Sequence, residues 1–276
     1  MTSSATATLP PAAPPPHEPA HTLTGDFRRH EGFHSAFLEH DRTIIVSLPP
    51  GYAADANGRY PVLYLHDGQN VFDKATSVGE EWRVDETAQR MMTAGEIEPL
   101  IIVGIYNTGE HRIDEYAPTA VGDKGGGKAG PYGRMLFEEL KPLIDREYRT
   151  RPDPANTGVG GSSLGGLLTL FLAAEHRGAM GGLAVHSPSV WWDNRMILGR
   201  VAGLPHDPPL RIWLDCGTNE GEETTANTRA LRDAFLARGW QLDQDLRYVE
   251  ATGAGHDEKS WSERVAPMLK FLYPPR

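Results

Sequence analysis

The run Gly160-Gly161-Ser162-Ser163-Leu164-Gly165-Gly166 holds a serine, Ser163, with glycine two residues before it and two residues after it. A serine hydroxyl is a weak nucleophile at neutral pH. It becomes an effective one when an imidazole takes its proton and fixed dipoles await the oxyanion formed by attack on a carbonyl. The G-x-S-x-G spacing suits that chemistry because it lies between a short strand-like stretch, 157–161, and an apolar helix-like stretch, 164–176. The serine would then stand on a tight strand-to-helix turn, where side chains at Gly161 and Gly165 would collide. A helix starting beneath the hydroxyl would offer free N–H groups and the positive end of its dipole to developing negative charge; the Leu164 N–H is the natural donor. The pattern alone also fits an ordinary turn with a capping serine, and the flanks favour catalysis. Two other glycine-rich readings fail. Gly158-Val159-Gly160 begins like a dinucleotide fingerprint, but its third glycine position is Ser163. Gly122 to Lys128 looks like a phosphate loop, yet Ala129 replaces the hydroxyl that would hold Mg²⁺ and no strand precedes it. Residues 122–130 read as a flexible loop.

A nucleophilic serine needs a base. His176, His186, His206 and His256 follow Ser163. His176 falls within or at the end of a helix, His206 in a proline-rich loop (Pro205-His206-Asp207-Pro208), and His186 at a strand end before every plausible acid. His256, in Ala254-Gly255-His256-Asp257, lies after the last strand and before the last helix, where a loop can deliver an imidazole to the hydroxyl. The acid that receives the imidazole Nδ1–H is expected after the strand 210–214, and Asp215 and Glu220 both qualify. Glu220 is preferred, because a residue beyond the Gly217 turn swings toward the histidine loop more easily than one still in the strand. Glu222 and Glu223 read as acidic residues at a helix N-terminus.

A second oxyanion donor is expected in the loop His66-Asp67-Gly68-Gln69-Asn70, at the backbone N–H of Gln69, with Asp67 beside it facing the substrate. His66 reads as a structural hydrogen bonder. Trp191 and Trp192, in Ser187-Pro188-Ser189-Val190-Trp191-Trp192, are expected near the acyl site, where an indole could stack on a sugar or aromatic ring; equally, one of the two could be core. Trp82 and Trp261 read as structural. Arg112-Ile113-Asp114-Glu115-Tyr116 reads as an exposed polar stretch, either lining the entrance or forming a surface ion-pair cluster.

These residues need elements to position them. Stretches 43–48, 60–65, 100–105, 157–161, 182–186, 210–214 and 245–249 have strand character; 131–148, 164–176, 226–238 and 261–272 have helical spacing. Continuous apolar strands alternating with helices predict an α/β fold with a mainly parallel sheet covered on both faces. The first strands, joined by turns, are expected to form an antiparallel edge. Residues 1–22, rich in Pro, Ala, Ser and Thr, are expected to be a disordered tail, and residues 23–276 a single domain.

Composition narrows the function. A formal net charge of −10 over 276 residues repels phosphate backbones and anionic membranes. The expected partner is a small-molecule ester, not a nucleic acid or a membrane; nothing in the sequence speaks to oligomeric state. The single cysteine, Cys216, excludes an intrachain disulfide. No Cys/His cluster has zinc spacing, and no cofactor or metal is expected. With neither a secretory signal nor a run of ~18 apolar residues, a cytoplasmic location is expected.

Six stretches in order, YPVLYLHDGQNVFD, RIDEYAP, GGSSLGG, HSPSVWW, WLDCGTNE and GAGHDEKSW, resemble the putative esterase family of the α/β-hydrolase superfamily. That family groups esterase D, enterochelin esterase, feruloyl esterase and acetylxylan esterase relatives, and looks like kin of the mycolyltransferases. The resemblance runs from about Thr24 to the C-terminus. It implies a serine carboxylic ester hydrolase with a triad on Ser163, Glu220 and His256, the acid near the end of the G-T-x-D/E segment supporting Glu220 over Asp215. It also maps the oxyanion loop onto Asp67, Gly68 and Gln69. Short acyl or aromatic acyl esters, including those of sugars, are the implied substrates; an acyltransferase using an alcohol or sugar acceptor is the alternative, and a non-catalytic binding protein a more distant one. Enterochelin esterases usually carry an added N-terminal domain, and secreted xylan-active relatives a signal peptide or carbohydrate-binding module. A short tail in their place weighs against siderophore and extracellular polysaccharide roles.

Overall fold

The computed structural model describes residues 20–204, 206 and 210–276. Most of the expected tail, residues 1–19, lies outside them, as do Pro205, Asp207 and Pro208 of the proline-rich loop. The tail's last residues are tied down: His21 Nδ1 lies 2.6 Å from Asp73 Oδ2, and the Thr22 hydroxyl donates to Glu81 Oε2 at 2.8 Å.

Eight strands form one sheet. They are β1 (Asp26–Phe33), β2 (Arg42–Leu48), β3 (Val62–His66), β4 (Ile101–Ile105), β5 (Thr157–Ser162), β6 (Gly182–His186), β7 (Arg211–Gly217) and β8 (Leu246–Ala251), in the order β1-β2-β4-β3-β5-β6-β7-β8. The pairs from β4 through β8 are parallel; β1 with β2 and β2 with β4 are antiparallel. The fold is the expected α/β architecture with an antiparallel N-terminal edge. That edge is β1 and β2. The third strand, expected from residue 60, belongs to the parallel core, where β4 separates it from β2. β1 itself carries no apolar alternation: DFRRHEGF is largely exposed, and its charged side chains suit an edge that must not recruit another strand.

The helices are α1 (Val84–Thr93), α2 (Arg112–Tyr116), α3 (Ala129–Arg134), α4 (Lys141–Glu147), α5 (Leu164–Glu175), α6 (Met196–Ala202), α7 (Glu222–Ala237) and α8 (Glu258–Leu272). The single helix expected over 131–148 is α3 and α4 joined by a π-helical turn, Met135–Leu140. Part of the expected flexible loop 122–130 is ordered as a 3₁₀ turn, Gly122–Lys124, and as the start of α3.

Strand alternation divides the core between the two faces. Ile44, Val46, Val62, Tyr64, Val103, Val185 and Leu214 point into one cluster with residues of α3 to α7. Ile45, Leu63, Leu65, Ile102, Ala184 and Trp213 point into the other, with α1 and α8. The sheet is therefore clamped on both sides, and its loops are free to carry chemistry only at the strand ends.

One buried carboxyl works against this clamp. Asp85 in the first turn of α1 is fully buried, and its Oδ2 accepts the Thr24 N–H at 2.6 Å. Burial, and then hydrogen bonding to Glu86, pushes its pKa up to about 8. A carboxyl protonated in the native state but ionised in the unfolded chain makes folding take up a proton between roughly pH 4 and pH 8, so stability falls as pH rises through that window. Asp85→Asn keeps an acceptor for Thr24 and a donor for Glu86. Urea midpoints should show this variant gaining on the wild type as pH rises from about 5 to about 8; an advantage that stays constant or shrinks would contradict a neutral native Asp85.

Candidate active site

Ser163 is the single residue between β5 and α5, with φ 56° and ψ −121°. Positive φ is costly for a residue with a side chain, and three backbone contacts hold it there. Its N–H donates to His186 O at 3.0 Å, while its carbonyl accepts from Leu167 N at 3.1 Å and Ser189 N at 2.9 Å. The end of β6 thus grips the turn from one side and α5 from the other. Space explains Gly161: a Cβ there would meet the Gly165 backbone at 3.0 Å. The Ser163 hydroxyl lies 3.3 Å from Ser189 Oγ. Leu164 opens α5, so its amide has no acceptor within the helix.

His256 sits between β8 and α8. Asp257 caps α8 by accepting Ser260 N–H at 2.8 Å, and Gly255 N–H donates to Ser260 Oγ at 3.0 Å. The peptides on both sides of the histidine are thereby fixed. Its Nδ1 lies 2.8 Å from Glu220 Oε2, and its ring meets Trp261 edge-on at 5.0 Å. With Nδ1–H donating to a carboxylate, the ring's free lone pair is on Nε2. Glu220 follows β7 on the Gly217 turn; its other oxygen accepts from Gly217 N–H at 2.6 Å and from the Ser187 hydroxyl at 2.5 Å.

Asp215, the other candidate acid, serves a different histidine. It is fully buried, with Oδ2 2.7 Å from His186 Nδ1 and 2.6 Å from Trp213 Nε1, and Oδ1 3.2 Å from Arg264 Nε. Burial pushes its carboxyl up, but His186 and Arg264 outweigh this and hold it below the usual carboxylate range.

The loop after β3 is anchored at each step. Asp67 has φ 58°, and Gly68–Asn70 form a 3₁₀ turn. The Asp67 N–H donates to Tyr116 OH at 3.0 Å. Its carboxylate receives Arg112 Nε at 2.7 Å and Nη2 at 2.8 Å, and Asn107 Nδ2 at 2.7 Å. Burial raises this carboxyl, and Arg112 and Asn107 more than reverse the effect, keeping it charged. Gln69 Oε1 accepts from Asn107 N and its carbonyl from Thr76 Oγ1. Gly68 is required where the loop crosses β4, because a Cβ would come within 2.5 Å of the Gly104 backbone. His66 is buried, with Nδ1 3.0 Å from Tyr132 OH; burial lowers its pKa to about 3, so it stays neutral.

Ser163, His256 and Gln69 line one open cleft of about 480 Å³, with Asn107, Arg112 and Glu258 among its polar walls. Glu258 Oε1 accepts from Asn70 Nδ2 at 3.0 Å, and burial raises its pKa. Asp67 also lines the cleft, but its oxygens are engaged by Arg112 and Asn107, so it anchors the loop where the sequence suggested it would face the substrate. Trp192 is the core member of its pair: it is 1% exposed and its Nε1 donates to Thr119 O at 3.1 Å. Trp191 is exposed, with Lys124 Nζ 5.0 Å from its ring centre, and neither indole lines this cleft. Adjacent residues in a turn point apart, so one ring of the pair is core and the other surface. The stretch 112–116 is not a surface cluster. Glu115 is buried against Arg42 at 3.0 Å, Tyr116 is buried, and Arg112 reaches the cleft. Trp261, read as structural, also lines the cleft. Asn107 and Glu258 carried no signal in the sequence beyond their nearness to β4 and to His256.

Among known families, the putative esterase model matches residues 35–272, and the chain belongs to that family of carboxylic ester hydrolases. It is 25% identical over 246 residues to the uncharacterized protein YbbA of Bacillus subtilis, covering 84% of this chain and 93% of that protein. It is 29% identical over 237 residues to the ferri-bacillibactin esterase BesA of Bacillus subtilis, covering 77% and 78% respectively. Among solved structures, the BES protein of Bacillus cereus superposes with a TM-score of 0.73 at 22% identity, over 93% of this chain and 98% of that one.

Gly68→Ala tests the seating of the loop after β3. Overpacking of this kind costs about 1–3 kcal/mol, and the variant should lose that much stability in urea unfolding. A variant as stable as the wild type would mean that the loop does not rest on β4.

Proposed function

We propose, from membership of the putative esterase family, that this chain hydrolyses carboxylic esters through an acyl-enzyme on Ser163. The observation that carries this reading is the 2.8 Å contact between Glu220 Oε2 and His256 Nδ1, in a cleft that His256 shares with the strained serine. The hydroxyl turns from Ser189 to the His256 Nε2 lone pair, gives up its proton and attacks the ester carbonyl. Contacts of this kind are often loose before substrate binds. The oxyanion is received by the N–H groups of Gln69 and Leu164, and loss of one such donor typically costs about 10²–10³ in turnover. His256 then protonates the leaving alcohol and activates the water that cleaves the acyl-enzyme. Glu220 holds the imidazole in the tautomer this cycle needs and stabilises the imidazolium.

The cleft argues about substrate. Asn107, Arg112 and Glu258 give it polar walls, which suit a short or aromatic acyl group on a hydroxyl-bearing alcohol better than a long alkyl chain. The BesA relative is named a ferri-bacillibactin esterase and is matched over most of its length, so esters of that type belong beside sugar esters in any substrate panel. Residues 23–276 act as one catalytic domain in this reading. Among the described residues no helix is long and apolar enough to cross a membrane.

Ser163→Ala should lower p-nitrophenyl acetate turnover by at least about 10³-fold without loss of fold, measured against melting temperature as the control. Glu220→Gln should lose more of kcat than Asp215→Asn. Near-normal turnover in the serine variant would refute the nucleophile, and a larger loss in Asp215→Asn would refute the acid. Adding an alcohol acceptor and counting ester against acid products separates hydrolysis from acyl transfer.

A further inference from the structure

Ser187 directly follows β6. It is fully buried and has φ 43°, a conformation that glycine adopts at no steric cost and serine does not. Its hydroxyl touches three groups. Trp261 Nε1 lies 2.9 Å away, Arg264 Nη2 3.3 Å and Glu220 Oε1 2.5 Å. An indole N–H and a guanidinium can only donate. They occupy the two lone pairs of the Ser187 oxygen, so its single proton has one acceptor left, the Glu220 carboxylate. The direction of this hydrogen bond is therefore set by the surroundings and does not depend on a free rotor.

We infer that Ser187 is a positioning residue for Glu220, a role that rests on the reading of Glu220 as the triad acid. Two donors, the Ser187 hydroxyl and the Gly217 N–H, converge on Oε1, which turns Oε2 toward His256 Nδ1. Arg264 couples this point to the deeper pair of Asp215 and His186 through its Nε, 3.2 Å from Asp215 Oδ1. The same guanidinium thus braces both carboxylates, with Ser187 as the link to the one that meets the imidazole. Trp261 completes the brace: it holds Ser187 through its N–H while its indole meets the His256 ring edge-on.

The test is a double-mutant cycle on p-nitrophenyl acetate hydrolysis with wild type, Ser187→Ala, Glu220→Gln and the double variant, each matched for melting temperature. Loss of a hydrogen bond to a carboxylate should lower kcat about ten-fold or more in Ser187→Ala, with KM within about two-fold. In the Glu220→Gln background the same substitution should cost less than about two-fold, because the group it positions is already disabled. An equal loss in both backgrounds, or a loss confined to KM, overturns the inference. A fully active Glu220→Gln is a different result: it removes the acid from the triad and the positioning role with it. Should Ser187→Ala not fold, Ser187→Cys keeps the size of the side chain with a weaker donor; an intermediate kcat supports the role, and wild-type kcat in that variant ends it.

Discussion

The site depends on one constraint, the passage from β5 to α5 through a single residue of positive φ. Nothing in serine favours that conformation. The peptide is held because β6 supplies an acceptor at His186 and a donor at Ser189, and α5 supplies Leu167 N. His186 is placed by the parallel register of β5 on β6, where it stands opposite Ser162. The strain is therefore supported by the sheet itself, and the sheet is supported by apolar side chains on both faces. The hydroxyl is presented at the C-terminal end of a central strand, where the chain turns from strand to helix in one step.

The remaining groups are brought to the same end of the sheet by buried charge. Asp67 and Arg112 join the loop after β3 to α2, and Asp215 joins β7 to α8 through Arg264 and to β6 through His186. Buried ion pairs add little net stability, since desolvation consumes most of the Coulombic gain, but breaking one leaves an uncompensated charge at high cost. Their use here is geometric. A loop that strayed from its position would strand a carboxylate in the interior, so the loops that carry Gln69, Glu220 and His256 have few alternatives.

Much of this was legible in the sequence because it rests on local pattern. The G-x-S-x-G turn, the apolar runs of β4 and α5, and the histidine between the last strand and last helix are set by residues within a few positions of one another. The preference for Glu220 over Asp215 also came from local geometry, the reach of a turn against that of a strand. What escaped was set by distant partners. β1 has no apolar alternation because neither of its faces is fully covered. Asn107 and Arg112, from the segment after β4, meet Glu258 of α8 in the cleft, and the buried Trp192 finds its acceptor at Thr119, far away in sequence. α1 was not anticipated either, although Val84, Ala88, Met91 and Met92 fall at helical spacing on its buried face.

Three histidines near the strand ends show how little the residue type decides. His66 is enclosed with a tyrosine hydroxyl as its partner, and burial keeps it neutral. His186 is equally enclosed but faces Asp215 across 2.7 Å, with the Trp82 ring against it. Neither lines the cleft. His256 combines a buried carboxylate behind it with an exposed ring, 43% accessible at the side chain against 1% for Glu220. A base must be open on one side to exchange a proton with substrate and closed on the other to keep its tautomer. That asymmetry follows from where the residue sits, on a loop between β8 and the cap of α8, with its acid on a neighbouring turn. His186, fixed at the end of a strand, has the closed side without the open one and is suited to structure; His256 has both, as the proton transfer proposed for it requires.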